Sequence, residues 1–274
     1  RQGYSDGYVL QDTINKVNYG LSYYAETRKY IYWDETYGYL RESLQATFPE
    51  EQLSMYASSD FSKIIVSTTS DKSPGSAYYY DVEKGGIVQV AEYAPWLKDY
   101  ELGDMIPFEF TSRDGIDLTG YITLPPDYRK GQKIPFILHP HGGPNAKDRF
   151  GYNPEVQIYA TRGYGVLQVN YRGSVGFGLE KMKLANKQWS LKMHDDLLDA
   201  LYWANDKGFV NMDKVCISGA SYGGYSAMVG ITKNPDLFKC AINYVGVVDL
   251  YTLYDDKQWM LSLIHISEPT RQIV

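Results

Sequence analysis

Along the first hundred residues, apolar and aromatic positions fall in short runs separated by turn residues, without the three-four spacing of an amphipathic helix. Lys29–Trp33, Lys63–Thr68 and Ala77–Asp81 are β-branched or aromatic segments of strand length. Gly85-Gly86 punctuates a hairpin into Ile87–Ala91. Such spacing predicts antiparallel meanders, as in a β-propeller blade or a sandwich. Only about two blades' worth of chain is present, so this region is expected to be part of a larger array. The pattern changes after Asp104. Ile106–Phe110 and Leu118–Leu124 read as a hairpin around Arg113-Asp-Gly115, and buried strands at Pro135–Leu138, Gly165–Val169, Lys214–Ser218 and Cys240–Val245 then alternate with helical stretches. That alternation predicts a parallel α/β sheet. Asp195–Asn205 places Leu197, Leu198, Leu201 and Tyr202 on one helical face, with Gly208 positioned to end the helix.

Composition narrows the classes. The 274 residues are 44% hydrophobic and 22% charged, the proportions of an ordinary globular protein rather than a disordered or fibrous one. No run of 18 apolar residues is present, so no membrane-spanning helix is expected. A net charge of −6 without a basic block gives a nucleic-acid backbone nothing to bind. Cys216 and Cys240 both fall in apolar segments that read as core strands, so both are expected to be buried free thiols. Arg1 is not a Met and no signal-peptide pattern follows it, so the chain is expected to start within a longer protein or after processing, and its compartment is not readable.

Gly219-Ala-Ser221-Tyr-Gly223 fits G-x-S-x-G, after a strand and before the helical run Tyr225–Lys233. A sharp strand-to-helix turn tolerates only small residues two places before and after the Ser, and it raises the hydroxyl at a helix N-terminus, where the macrodipole favours a developing oxyanion. Upstream, Leu138-His-Pro-His-Gly-Gly-Pro144 follows a strand at the place where hydrolases of this type supply a second oxyanion N–H, and its glycines let backbone approach a substrate. His139 and His141 share a strand face, but no further ligands are nearby and no metal is expected.

Together His141-Gly-Gly-Pro144, Asn170–Gly178 (Asn-Tyr-Arg-Gly-Ser-Val-Gly-Phe-Gly), Asp195-Asp-Leu-Leu-Asp-Ala200 and Ser218-Gly-Ala-Ser-Tyr-Gly-Gly-Tyr225 resemble the prolyl oligopeptidase family of serine peptidases, in its acylaminoacyl-peptidase and dipeptidyl-peptidase-like branch. The resemblance covers residues 104–260. It implies an α/β-hydrolase domain at 104–260, incomplete at its C-terminus, preceded at 1–103 by the last blades of a β-propeller. It also implies a serine-type peptidase acting on short peptides, with Ser221 as nucleophile and the Tyr222 N–H, His141 and Gly142 around the oxyanion. By the same resemblance Val247, Leu250 and Leu253 line an apolar substrate pocket that the Tyr222 ring could also wall, a plain core role for the three being the alternative, and Arg172 braces a loop. The partner implied is a peptide; a homo-oligomer is compatible with the sequence, and no cofactor is called for. An esterase-like hydrolase and a non-catalytic propeller-based binding protein are the alternatives.

A Ser nucleophile needs a base and an orienting acid, which follow it in this fold. Asp249 reads as a loop or helix-cap carboxylate, and neither Asp255 nor Asp256 suits the acid. The only His after Ser221 is His265, and Leu261–Arg271 coincide with the translation of a transposase-type sequencing adapter. Residues 261–274 are therefore expected to be adapter read-through, His265 is not taken as the base, and the chain as written is expected to lack the triad Asp and His and to be inactive.

Overall fold

The computed structural model describes residues 6–12 and 15–255. They pack as two compact units: the described residues of Arg1–Pro107, Thr123–Asp127 and Arg149–Arg162 in one, and those of Phe108–Ile122, Tyr128–Asp148 and Gly163–Val274 in the other.

The first unit opens with β1 (Tyr8–Asp12), β2 (Val17–Tyr24) and β3 (Arg28–Tyr32), an antiparallel sheet in that order. Helix α1 (Glu35–Thr47) follows, where the sequence pattern predicted only strands. Its start is fixed by Asp34, whose Oδ1 accepts from the backbone N–H groups of Thr36 and Tyr37 at 3.0 and 3.2 Å. Strands β4 (Gln52–Ala57), β5 (Lys63–Thr69), β6 (Ser76–Asp81) and β7 (Gly86–Glu92) form an up-and-down antiparallel sheet. Leu40, Leu44 and Phe48, spaced four apart on one side of α1 and its C-terminal cap, pack with Leu53, Ile64, Val66, Tyr78 and Tyr80 of that sheet. The helix exists because this tertiary contact rewards a stripe whose local residues, Thr36, Tyr37, Gly38 and Tyr39, are poor helix formers.

After a 3-10 turn at Pro95–Asp99 come β8 (Asp104–Thr111), β9 (Asp117–Leu124), β10 (Ile134–Leu138), helix α2 (Pro154–Ala160) and β11 (Gly165–Asn170). Helices α3 (Leu179–Lys183) and α4 (Lys192–Asp206), strand β12 (Val210–Ala220), helix α5 (Tyr222–Lys233), strand β13 (Phe238–Tyr244) and helix α6 (Leu250–Asp255) complete the order. The six-stranded sheet runs β13-β12-β10-β11-β9-β8, with β11, β10, β12 and β13 parallel. Strand β11 is buried at every residue, as a strand covered on both faces must be. Met193, Leu197, Leu198, Ala200, Leu201 and Ala204 make the buried side of α4. Tyr202, expected on that face, is exposed instead, because at about 100° per residue it falls outside the stripe of Leu197, Leu201 and Ala204. Gly208, at φ 87°, ends the helix in the left-handed conformation its residue type favours. No described helix is long and apolar enough to cross a membrane.

Two corrections concern β13. Among the described residues it lies at the rim of the sheet, with Ile242 and Tyr244 exposed, where the sequence pattern predicted a core strand at Cys240–Val245. Cys216 and Cys240 are not free thiols either. Parallel pairing of β12 with β13 sets Cys216 opposite Cys240 with Cα atoms 4.7 Å apart, within disulfide reach, and the two are bonded.

A buried ion cluster joins the β8–β9 turn, the loop after β11 and α4. Arg172, 3% exposed, donates from Nε and Nη2 to the two oxygens of Asp196 at 2.8 and 2.7 Å, and from Nη1 and Nη2 to Asp114 at 2.9 and 2.7 Å. The hydrogen bond from Arg172, assisted by Ser112 and Lys192, holds the Asp114 carboxyl well below the usual carboxylate range. The resemblance implied a bracing role for Arg172, and its contacts are those of a brace.

Two outcomes follow. Alkylation of the unfolded chain without reductant should modify neither cysteine, and both after reduction, as read by mass spectrometry. Arg172→Met strands the fully buried Asp196 charge and should destabilise the chain by about 3–5 kcal/mol in urea unfolding.

Candidate active site

The C-terminal end of β12 turns into α5 at Ser221, whose φ of 55° and ψ of −119° lie where side-chain-bearing residues are rarely found. The surrounding backbone imposes this. A Cβ on Gly223 would fall 2.1 Å from the Pro140 carbonyl oxygen, and one on Gly219 would fall 2.6 Å from the Gly223 carbonyl carbon. Both glycines of the G-x-S-x-G pattern are thus required by space. Ser221 N–H donates to the Tyr244 carbonyl at 3.0 Å, tying the turn to β13. Its hydroxyl makes no capping bond to α5, although Ser is a favoured cap. The side chain is spared for other work.

Tyr222 is the first residue of α5, and the leading N–H groups of a helix have no partner within it. The loop after β10 approaches from the other side. A Cβ on Gly142 would lie 3.4 Å from Ser221 Cβ and 4.0 Å from its Oγ, so the Gly142 backbone borders the nucleophile turn. Ser221, Tyr222 and Gly142 are therefore brought together.

The His141 imidazole is engaged on both nitrogens. Nδ1 donates to the Gly142 carbonyl, an acceptor only, at 2.7 Å, which leaves Nε2 to accept from Ser174 Oγ at 3.0 Å. The ring stacks on Tyr171 at 4.4 Å, and the Tyr171 hydroxyl donates to the His141 carbonyl at 2.8 Å. Burial pushes the imidazole down to about 4, so it is neutral near pH 7. With both nitrogens committed, the imidazole holds the Gly142 carbonyl and ties the loop to Ser174.

A cavity of about 550 Å³ opens beside Ser221, lined by Val245, Val247, Val248, Asp249, Thr252 and Leu253. Val247 and Leu253 are among its walls. Leu250 is not: it is exposed on the first turn of α6 and does not line the cavity. The Tyr222 ring is no pocket wall either; it is 2% exposed and packs among Tyr171, Trp189 and Tyr225. Asp249 caps α6, accepting from the N–H groups of Tyr251 and Thr252 and from Thr252 Oγ1, and these bonds lower its pKa. That matches its reading as a cap carboxylate. His265 and Asp256 lie outside the described residues. Among the described residues, none hydrogen-bonds Ser221 Oγ, and none form a cluster suited to a metal ion.

The sequence reading passed over Asp148, which secures the far end of the β10 loop. Its N–H donates to Asn170 Oδ1 at 2.8 Å and its Oδ1 accepts from Gln168 Nε2 at 2.8 Å, while Oδ2 is buried with no partner among the described residues. Burial raises the carboxyl to about 7, with the Gln168 bond opposing. No motif flagged it, because an isolated Asp in a loop carries no periodic signal. A folded-state pKa above the unfolded value near 4 means that the native chain binds the extra proton, so stability falls as pH rises from about 4 to about 7. Asp148→Asn should flatten that decline, read from urea midpoints at pH 5 and pH 8.

The profile of the prolyl oligopeptidase family matches residues 150–272. Dipeptidyl aminopeptidase BIII of Pseudoxanthomonas mexicana is 38% identical over 77% of this chain and 32% of its own length. Dipeptidyl peptidase family member 6 of Caenorhabditis elegans is 35% identical over 71% of the chain and 29% of its own. The chain therefore spans about a third of the length of these relatives. In fold it is similar to an acylaminoacyl peptidase of Pyrococcus horikoshii, with a TM-score of 0.67 at 22% identity over 92% of this chain and 38% of that one. With the α/β-hydrolase fold of these neighbours and the sequence kinship of the dipeptidyl peptidases, the chain belongs to the prolyl oligopeptidase family.

Proposed function

We propose that the protein to which this chain belongs is a serine peptidase that cleaves short peptides through an acyl-enzyme. The observation that carries the reading is the conformation of Ser221. A strained, uncapped serine at the start of α5, bordered by the Gly142 backbone, is arranged as a nucleophile beside an oxyanion site. Ser221 Oγ attacks the scissile carbonyl, and the carbonyl oxygen takes up negative charge against the Tyr222 N–H and the backbone near Gly142. Collapse breaks the C–N bond, and the leaving nitrogen takes the proton given up by the Ser221 hydroxyl and departs as the amine. Water then hydrolyses the acyl ester to the free acid and restores the hydroxyl. The apolar walls given by Val247 and Leu253 suit an uncharged side chain next to the cleaved bond. Peptide processing by the dipeptidyl peptidase relatives favours amide over ester substrates.

The general base and its carboxylate are not supplied by any described residue, and the chain by itself is accordingly proposed to turn over poorly. Residues 1–103 are proposed to be the closing part of a β-propeller. The up-and-down sheet β4–β7, four antiparallel strands joined by short turns, has the build of one blade.

Expressed within its complete reading frame, the protein should be labelled covalently by a fluorophosphonate and should hydrolyse peptide p-nitroanilides. Ser221→Ala should abolish labelling and lower kcat by about 10⁶-fold. Hydrolysis confined to esters would replace the reading with an esterase. Absence of labelling would leave a binding protein.

A further inference from the structure

The arginines of the two units are treated differently. In the second unit Arg113 and Arg172 each meet two carboxylates, Asp195 with Asp199 and Asp114 with Asp196. In the first unit Arg28, Arg41 and Arg149 meet none among the described residues. They form instead a ladder with tyrosine rings. The Arg149 guanidinium lies 5.0 Å from the Tyr24 ring, that of Arg28 lies 5.5 Å from both Tyr24 and Tyr30, and that of Arg41 lies 4.3 Å from Tyr30.

Stacking on ring faces stabilises the cations but gives their N–H groups no acceptor. Among the described residues the three guanidiniums make a single hydrogen bond, from Arg28 Nη2 to Ser22 Oγ at 3.1 Å. Arg28 Nε and Arg41 Nη1 are buried with no acceptor among the described residues. Burial, with a contribution from the neighbouring Arg28 charge, lowers the Arg41 pKa. Two half-buried guanidiniums side by side, pre-ordered by the ring between them and lacking a counter-charge, are what an anion site requires.

We propose that the Arg28–Arg41–Arg149 ladder is a binding site for a peptide carboxylate. The rings hold the planar forks so that little side-chain freedom is lost when a carboxylate is taken in. The net charge of −6 disfavours a polyanion in this place, whereas a single carboxylate faces a locally cationic surface. Identifying the ligand as a peptide rests on the peptidase reading; the anion site itself does not.

The test is carried out on the Ser221→Ala chain, so that binding is read without turnover and stays readable if the nucleophile assignment fails. The probes are acetyl-trialanine with a free C-terminal carboxylate, its C-terminal amide, and inorganic phosphate, each titrated by calorimetry at low salt. The carboxylate should bind about tenfold more tightly than the amide, and Arg41→Gln should erase the difference. Arg149 is exposed, so Arg149→Gln leaves the fold intact and should reduce the difference about threefold, which decides the matter should Arg41→Gln unfold. Equal affinity for acid and amide, or a difference that survives both substitutions, overturns the proposal. Phosphate displacing the peptide at the concentration where the peptide itself binds also overturns it, by assigning the ladder to phosphate.

Discussion

The approach of the α5 N-terminus to the chain end of β10 is the constraint on which the site depends. Gly223 sits so close to the Pro140 carbonyl that no side chain fits between them, and Gly219 is pressed against Gly223 in the same way. With the backbone on both sides immovable, the residue between must take a positive φ, and Ser221 takes it. The same contact brings Gly142 beside the serine. Strain at one residue and proximity of two loops are therefore a single packing event, and the hydrogen bond from Ser221 N–H to the Tyr244 carbonyl extends it to the neighbouring strand.

Around that event the protein uses arginine in two ways. Arg172 brings Asp114 and Asp196 together from separate elements, so the turn before β9, the loop after β11 and α4 share one buried cluster. Loss of one member leaves a charge with no water to solvate it, which is why such clusters lock geometry even where their net contribution to stability is small. The loop from His141 to Asp148 leans on the same segment: Ser174, Tyr171 and Asn170 each bond to it. In the first unit, guanidiniums rest on tyrosine faces instead, with their donors left over. In the first setting both charge and hydrogen-bonding capacity are matched by carboxylates; in the second the ring faces stabilise the cations without supplying an acceptor or a counter-charge.

Much of the second unit was legible in the sequence because its signals are local. Strand β11 is a continuous apolar run, α4 carries a clear stripe, Gly208 ends it, and G-x-S-x-G has a steric meaning that needs no alignment. What escaped were features with no local signature. Helix α1 is built from residues of modest helix propensity and is held by Asp34 at its start and by the β4–β7 sheet along its side. Asp148 looks like any loop carboxylate until burial changes its proton affinity. Leu250 was expected at the pocket with Val247 and Leu253 from the family resemblance, but on the first turn of α6 it is exposed and does not line the cavity.

The chain's own order of residues determined the alternation of strands and helices, the site of the strained serine and the glycines beside it, because periodicity and steric size act within a few residues. Only the tertiary structure decided that Cys216 and Cys240 are joined. Which residues face each other across parallel strands depends on a register set by packing of the intervening α5 against the sheet, not by either segment. It decided likewise that the His141 imidazole is spent on Gly142 and Ser174, since a side chain's partners come from whatever distant segment folds against it.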